Sequence, residues 1–230
     1  MHQAAPFPLP MRRCGECAKS GVARFFAALF LLLVGAAAVR ADELAEAVHA
    51  EINLARTAPR KYARIVAHET KTHHLTEGNR AVREAIRFLE KTARLPALKR
   101  STGLRAAARS HVRDQGPVGG VGHLGDDWST PARRIARFGT WGTRMAENIA
   151  YGESDARTIV VRLIVDDGVR DRGHRLNVFG REFRLAGVAT GPHARYRTMC
   201  VIEFAGTFKD RAEELRERAH PQRKPHLRRH

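Results

Sequence analysis

The sequence predicts an α+β domain in which helices pack around a small antiparallel sheet. Three observations lead there. Apolar residues recur at helical spacing through most of residues 42–164, two strand-like runs close the domain near its C-terminal end, and a Gly-Pro connection joins those runs. At 230 residues with 43% hydrophobic content, the chain suffices for one compact core and would crowd two.

Leu44, Ala47, Val48, Ile52 and Ala55 lie on one face of a first helix, with Asp42 read as its N-cap and Thr57-Ala58-Pro59 as its end. Pro59 starts a second helix through Ile65 and Val66. The polar stretch from His68 to Asn79, with His73 and His74, reads as a solvated loop. Val82, Ala85, Ile86 and Leu89 stripe a third helix that ends before Pro96. Leu104, Ala107, Ala108, His111 and Val112 stripe a fourth, which places His111 on an apolar face as a hydrogen-bonded core histidine. The glycines of GPVGGVGHLGDD, residues 116–127, make a loop, and without a preceding strand or a following Lys-Ser/Thr it is not a phosphate cradle. Ser129 is the expected cap of a short helix carrying Pro131 and Ile135. A stripe of Ala156, Ile159, Val160, Leu163 and Ile164 follows Asp155 and is expected to stop near Asp167-Gly168. The strand candidates are Phe183–Thr190 and Tyr196–Phe204. The second is apolar on both faces except at Glu203, which marks a central strand covered by helices. Glu203 itself either lines a cleft or faces outward.

The ends of the chain read differently from its middle. Arg12, Arg13, Lys19 and Arg24 precede an uncharged apolar run from Phe25 to Val39, followed by small residues before Asp42. This is the pattern of an export signal over residues 1–41, with Met1 or Met11 as the start, and with a secreted or periplasmic destination after cleavage. The run is short for a membrane span, and no later segment competes with it, so no transmembrane span is expected in the mature chain. Cys14 and Cys17 fall inside that signal, which leaves Cys200 alone and rules out an internal disulfide in the mature domain. Residues 209–230 are basic, helical at first and then a tail. The net charge of +17 suits anionic surroundings such as envelope lipid or polysaccharide. No Cys/His finger, RNA-binding strand or basic helix leading into heptads is present, so no specific nucleic-acid partner is expected.

Local motifs then carry a resemblance. EINLARTAPRKYA (Glu51 to Ala63), LRAAARSHVRD (Leu104 to Asp114), GHLG (Gly122 to Gly125), RIARFGTWGTRMAENIAYG (Arg134 to Gly152), VDDGVRDRGHRLNVF (Val165 to Phe179) and LAGVATGPHARYRTMCVIEFAG (Leu185 to Gly206) occur in the order seen in bacterial, cysteine-poor members of the CAP (SCP-like) superfamily. Each is weak alone, but the ordered set is specific and covers most of residues 42–208. The resemblance implies a three-layer α-β-α sandwich, export, and a cleft flanked by two histidines and acidic residues. By motif these are His123, His174 and Glu147, with Asp166 or Asp167 nearest to a second acid. The sequence departs from the family pattern at Ala146, where glycine is usual, and at Gly168, where tryptophan is common.

The resemblance implies a site more firmly than a reaction. Some members bind zinc or another divalent metal, here through His123 and His174. Others bind lipids or act at cell walls. Two functional classes therefore stand beside each other. One is a binding module of the cell envelope. The other is a metal-dependent hydrolase of an envelope peptide, glycan or lipid ester, in which Glu147, His123 and His174 are catalytic and Glu147 takes a proton from metal-bound water. A structural role, with Glu147 bonding both histidines and the loop amides, is the third. His111, Asp166, Asp167, Arg175, Asn177 and Glu203 are the expected supports of the cleft or its loops, with Asp166, Asp167, Arg172 and Arg175 read as ion pairs shaping one loop.

Overall fold

The structure, a computed structural model, describes residues 39–72 and 75–219. The expected signal over residues 1–38, the pair His73 and His74, and the tail over residues 220–230 lie outside the described residues. From Ala41 onward the described residues form one compact unit, which carries the sheet and the helices packed on it.

In chain order the elements are α1 (residues 39–57), α2 (Pro59–Glu69), a single 3-10 turn at Thr70–Thr72, α3 (Asn79–Lys91), β1 (Lys99–Arg100), α4 (Thr102–Gln115), α5 (Pro131–Ala136), β2 (Gly139–Tyr151), α6 (Ala156–Val165), α7 (Gly173–Val178), β3 (Leu185–His193), β4 (Arg197–Asp210) and α8 (Arg211–Ala219). The four strands form one sheet in the order β1-β3-β4-β2. β4 is thus central, as its two-sided apolar pattern requires, and it pairs antiparallel with both β3 and β2. The sheet is mixed rather than purely antiparallel. The two-residue β1 pairs parallel with β3, because Lys99 and Ser101 donate to the carbonyls of Arg184 and Ala186 as the chain enters α4.

Strand alternation splits β4 between two helical layers. Cys200, Ile202 and Phe204 join the core made with α1, α2, α3 and α6, where Ile52, Leu89 and Ile159 are fully enclosed. Met199, Val201 and Ala205 face the other way, onto Leu104, Ala108 and Val112 of α4 and Ile135 of α5. The three-layer α-β-α arrangement is the result. Burying each large aliphatic side chain contributes about 1.5–3 kcal/mol, so these two apolar interfaces carry the fold without a disulfide. Gly187 lets α4 lie directly on β3, since a Cβ there would stand 2.1 Å from the Arg105 nitrogen.

Several boundaries differ from the sequence reading. α1 is already helical at residue 39, so Asp42 is not its cap and instead pairs with Arg105 and Arg109 of α4. α2 continues through His68 and Glu69, into the stretch read as loop. Thr130, not Ser129, caps α5: its hydroxyl accepts from the Arg133 nitrogen. α6 ends at Val165, with Asp166 rather than a glycine in the left-handed conformation that closes it. Met145–Tyr151, mixed in polarity, is the end of the 13-residue strand β2. The hairpin strands run longer than expected and leave only residues 194–196 as the turn.

Candidate functional site

β2 is an edge strand, and two of its neighbouring residues each hold one histidine. A register shift between Gly142 and Met145 sets Glu147 opposite Glu203 and Asn148 opposite Ile202. Glu147 therefore faces the α4–α5 layer and Asn148 the α6–α7 layer.

On the first side, the loop after α4 brings in His123. Its Nδ1 lies 2.7 Å from Glu147 Oε1, while Arg134 of α5 donates to Glu147 Oε2 at 2.6 Å. Arg134 also donates to the carbonyls of His123 and Ser129, so one buried guanidinium fixes the acid and the loop together. The loop is tied down by further buried groups. His111 Nε2 bonds the Gly122 carbonyl, Gln115 donates to the Leu124 carbonyl, and the Gly122 N–H donates to Tyr151 Oη. Gly122 has φ near +94°, a conformation open to glycine at little cost.

The second side is built by Asp166. Its Oδ1 lies 2.7 Å from His174 Nδ1, and its Oδ2 accepts from the backbone nitrogens of His174 and Arg175. A carboxylate at the exposed N–H groups of α7 is favourable, and the same group orients the ring. Asn148 donates to the His174 carbonyl and accepts from Asn177, which pins α7 against β2. Arg175 satisfies the Ile164 and Val165 carbonyls at the end of α6. Asp167, the alternative second acid, points elsewhere: it accepts from the nitrogens of Thr76 and Glu77. Arg172 and Arg175 pair with Glu77 and Glu84 from the α3 side rather than with Asp166 and Asp167.

In both halves a carboxylate with almost no exposed surface accepts from Nδ1, while the imidazole keeps 52% (His123) or 27% (His174) of its side-chain surface exposed. With Nδ1 carrying the proton, Nε2 keeps its lone pair. A cavity of about 270 Å³ between β2, α6 and the segment around Thr70 and Leu75 reaches His174 and Asp166.

Glu203 resolves the open choice about its side: it is fully buried, facing Glu147 across the β2–β4 pairing. Burial first, and then the charge of Glu147, hold its carboxyl well above the ordinary range. Burial also pushes Glu147 up. The hydrogen bond from His123 and the charge and hydrogen bond of Arg134 outweigh that, so Glu147 is the ionised member of the pair. His111 is fully enclosed, with desolvation lowering its proton affinity, as suits a neutral core histidine. Cys200 is an enclosed thiol, pushed up to about 12 by burial.

Sequence reading missed Arg134, Asn148 and Tyr151 as supports, although all three fall inside the RIARFG and ENIAYG motifs. It also missed Arg56, whose enclosed guanidinium donates to the carbonyls of Pro96, Val178, Gly180 and Phe183 and so anchors the end of α7. Among the described residues no group of three or more His, Cys, Asp or Glu side chains is placed to hold a metal ion.

Similar solved structures include an outer surface protein from Borrelia burgdorferi, 16% identical, with 48% of this chain and 78% of that one covered at a TM-score of 0.42. An extracellular protein containing an SCP domain from Bacillus anthracis is 22% identical over 48% of this chain and 34% of its own, at a TM-score of 0.39. A cysteine-rich secretory protein from Staphylococcus aureus is 18% identical over 53% of this chain and 35% of its own, at a TM-score of 0.37. This chain thus spans about a third of the length of the last two. No curated protein matches the sequence. The family model for CAP, the cysteine-rich secretory protein family, matches residues 49–204, which is more than half of the chain and includes both histidines, Glu147, Asp166 and Glu203. The chain belongs to the cysteine-rich secretory protein (CAP) family.

Proposed function

We propose that this protein is an exported binding module whose cleft engages its ligand through the Nε2 atoms of His123 and His174. The observation that carries the reading is the matched pair of buried carboxylates, each 2.7 Å from one Nδ1. That arrangement fixes ring orientation and tautomer, as in the carboxylate–histidine pairs behind metal ligands.

A divalent cation such as zinc is the ligand we propose for the two imidazole donors, and not in a closed structural site. Glu147 and Asp166 are already engaged, and the described residues offer no group of three ligands. His123 and His174 would hold such a cation with its remaining positions left to water or to an anionic ligand. Bound there, the ion supplies a positive anchor for that ligand. The hydrolytic alternative asks Glu147 to accept a proton from water. Both of its oxygens are engaged, by His123 and Arg134, and its side chain is 1% exposed, which favours binding over hydrolysis. Export rests on the basic-then-apolar segment before Asp42, and among the described residues no helix is long and apolar enough to cross a membrane. The net charge of +17 suits anionic envelope lipid or polysaccharide as surroundings.

The test is calorimetric titration of zinc into a chain starting at Ala41, beside a folded His123→Ala/His174→Ala variant. Every residue of the hydrophobic clusters follows Ala41, so that chain keeps the whole core. One equivalent bound by the parent and lost in the variant is expected. No binding, or equal binding by both proteins, overturns the two-histidine site.

A further inference from the structure

Eight large hydrophobic side chains are exposed among the described residues, and five of them lie on one loop and the turn beside it. Val118 (65%), Val121 (52%), Leu124 (47%) and Trp128 (77%) project from the loop after α4, and Tyr196 (37%) from the β3–β4 turn. Loop and turn are neighbours. The Ala194 N–H donates to the Gly116 carbonyl, and a Cβ placed on Gly119 would stand 3.3 Å from Arg195 Cβ.

The exposure is built in rather than a consequence of slack. His193 Nε2 bonds the Gly120 carbonyl, and its Nδ1 accepts from the backbone nitrogens of Arg195 and Tyr196. One buried histidine thereby clamps the turn to the loop. His111, Gln115 and Tyr151 hold the loop from below. Trp128 has φ near +58°, a region unfavourable to a bulky residue. A tight turn maintains it, with Trp128 N–H on the Gly125 carbonyl and Ser129 N–H on Asp127 Oδ1. The chain accepts backbone strain at a residue whose indole it leaves in solvent.

Charge selects the occupant. Arg113, Arg133, Arg195 and Arg197 are exposed on or beside these segments, and Arg195 stacks on Tyr196 with its guanidinium carbon 5.2 Å from the ring centre. The acidic residues there are partly neutralised: Asp127 pairs with Arg137, and Asp114 accepts from the Asp126 nitrogen, leaving Asp126 exposed. Aliphatic and aromatic tips on a braced loop, rimmed by arginine, match the interfacial zone of an anionic bilayer.

We propose that residues 118–128 together with the turn at residues 194–197 form a peripheral docking surface for an anionic phospholipid bilayer. Val118, Val121, Leu124 and Trp128 enter the headgroup region, and Arg195 and Arg197 contact phosphates. The proposal rests on the exported half of the functional reading and not on the histidine cleft, although docking would hold His123 close to the lipid surface.

Trp128 and Trp141 are the two tryptophans of the chain, so Trp141→Phe leaves Trp128 as the sole indole reporter. That variant, starting at Ala41, is mixed with vesicles of phosphatidylcholine with and without phosphatidylglycerol. EDTA is present throughout, so the outcome is independent of any metal. With phosphatidylglycerol, the emission is expected to shift to the blue and to be quenched by lipids brominated on their acyl chains. Adding Val118→Ser/Val121→Ser, both at exposed positions, is expected to weaken partitioning roughly tenfold or more with an unchanged circular dichroism spectrum. Unchanged Trp128 emission on bound vesicles would mean that the basic tail alone does the binding, and it overturns the proposal. Equal partitioning by the serine variant, or no binding at all, does the same. Equal partitioning to neutral vesicles overturns the choice of an anionic surface.

Discussion

Glu203 faces Glu147 inside the protein, and that pairing makes folding stability depend on pH in an unusual direction. An unfolded glutamate releases its proton near pH 4.3. Burial and the negative charge of Glu147 keep the proton on Glu203 in the folded state well above that pH. Between those two points the folded state binds one more proton than the unfolded state, so stability falls as pH rises. For a single proton the slope is 2.303RT, about 1.4 kcal/mol per pH unit. Glu147 is displaced the opposite way, so its contribution is lost only as pH falls below the ordinary carboxylate range. The perturbation is Glu203→Gln, which keeps the shape and removes the titration. The variant's advantage over the parent should therefore grow as pH rises from 5 toward 7, with a slope of at most about 1.4 kcal/mol per pH unit. The lowered affinities of His49 and His111 act in the same window, but they are common to both proteins and cancel in the difference. The assay is urea unfolding followed by far-ultraviolet circular dichroism at several pH values and constant ionic strength. A difference that stays flat across that range would refute the protonated Glu203.

Three further outcomes rest on the same contacts. Arg134→Met leaves Glu147 buried without its cation and should cost about 3–5 kcal/mol in urea unfolding at pH 7, with partial recovery in Arg134→Met/Glu147→Gln; an unchanged midpoint would contradict the buried pair. Asp166→Ala removes the acceptor of two α7 backbone N–H groups and of the His174 ring, so about 1–2 kcal/mol of stability should be lost, read from the same unfolding curves. Any zinc affinity should fall about tenfold to a hundredfold in that variant, read by calorimetry. Cys200, fully enclosed with its thiol pushed up to about 12, should resist a thiol-specific reagent at pH 8 until the protein is unfolded. Rapid labelling of the native chain starting at Ala41, in which Cys200 is the sole cysteine, would place that residue outside the core.

The layers were legible because periodicity is a local signal. The stripes of α3, α4 and α6 and the two-sided apolar run of β4 each arise from residues a few positions apart. β2 was not legible as a strand. Its burial alternates poorly, since it is an edge strand with a register shift, and Glu147 and Asn148 are polar residues buried for what they hold. Caps were misplaced where the sequence offered two neighbouring candidates, as at Ser129 and Thr130, or where an aspartate took the left-handed position, as at Asp166. The histidines and Glu147 came from ordered motifs. Their partners did not, because pairings such as Glu147 with Glu203, or Asp166 rather than Asp167 with His174, depend on strand register and on the turn between α6 and α7. Arg134 and Arg56 look like ordinary surface cations in a chain with 41 basic side chains, and nothing local distinguishes the enclosed ones.

The central claim is that two buried carboxylates hold His123 and His174 by Nδ1 and leave both Nε2 atoms free for a ligand. Long-range proton–nitrogen correlation spectra of the ¹⁵N-labelled chain near neutral pH, assigned with His123→Ala and His174→Ala, report the protonated ring nitrogen directly. Protonated Nδ1 and unprotonated Nε2 are expected in both rings, with the two Nε2 signals moving when zinc is added. Protonated Nε2 in either ring, or zinc shifts confined to other histidines, would contradict that claim.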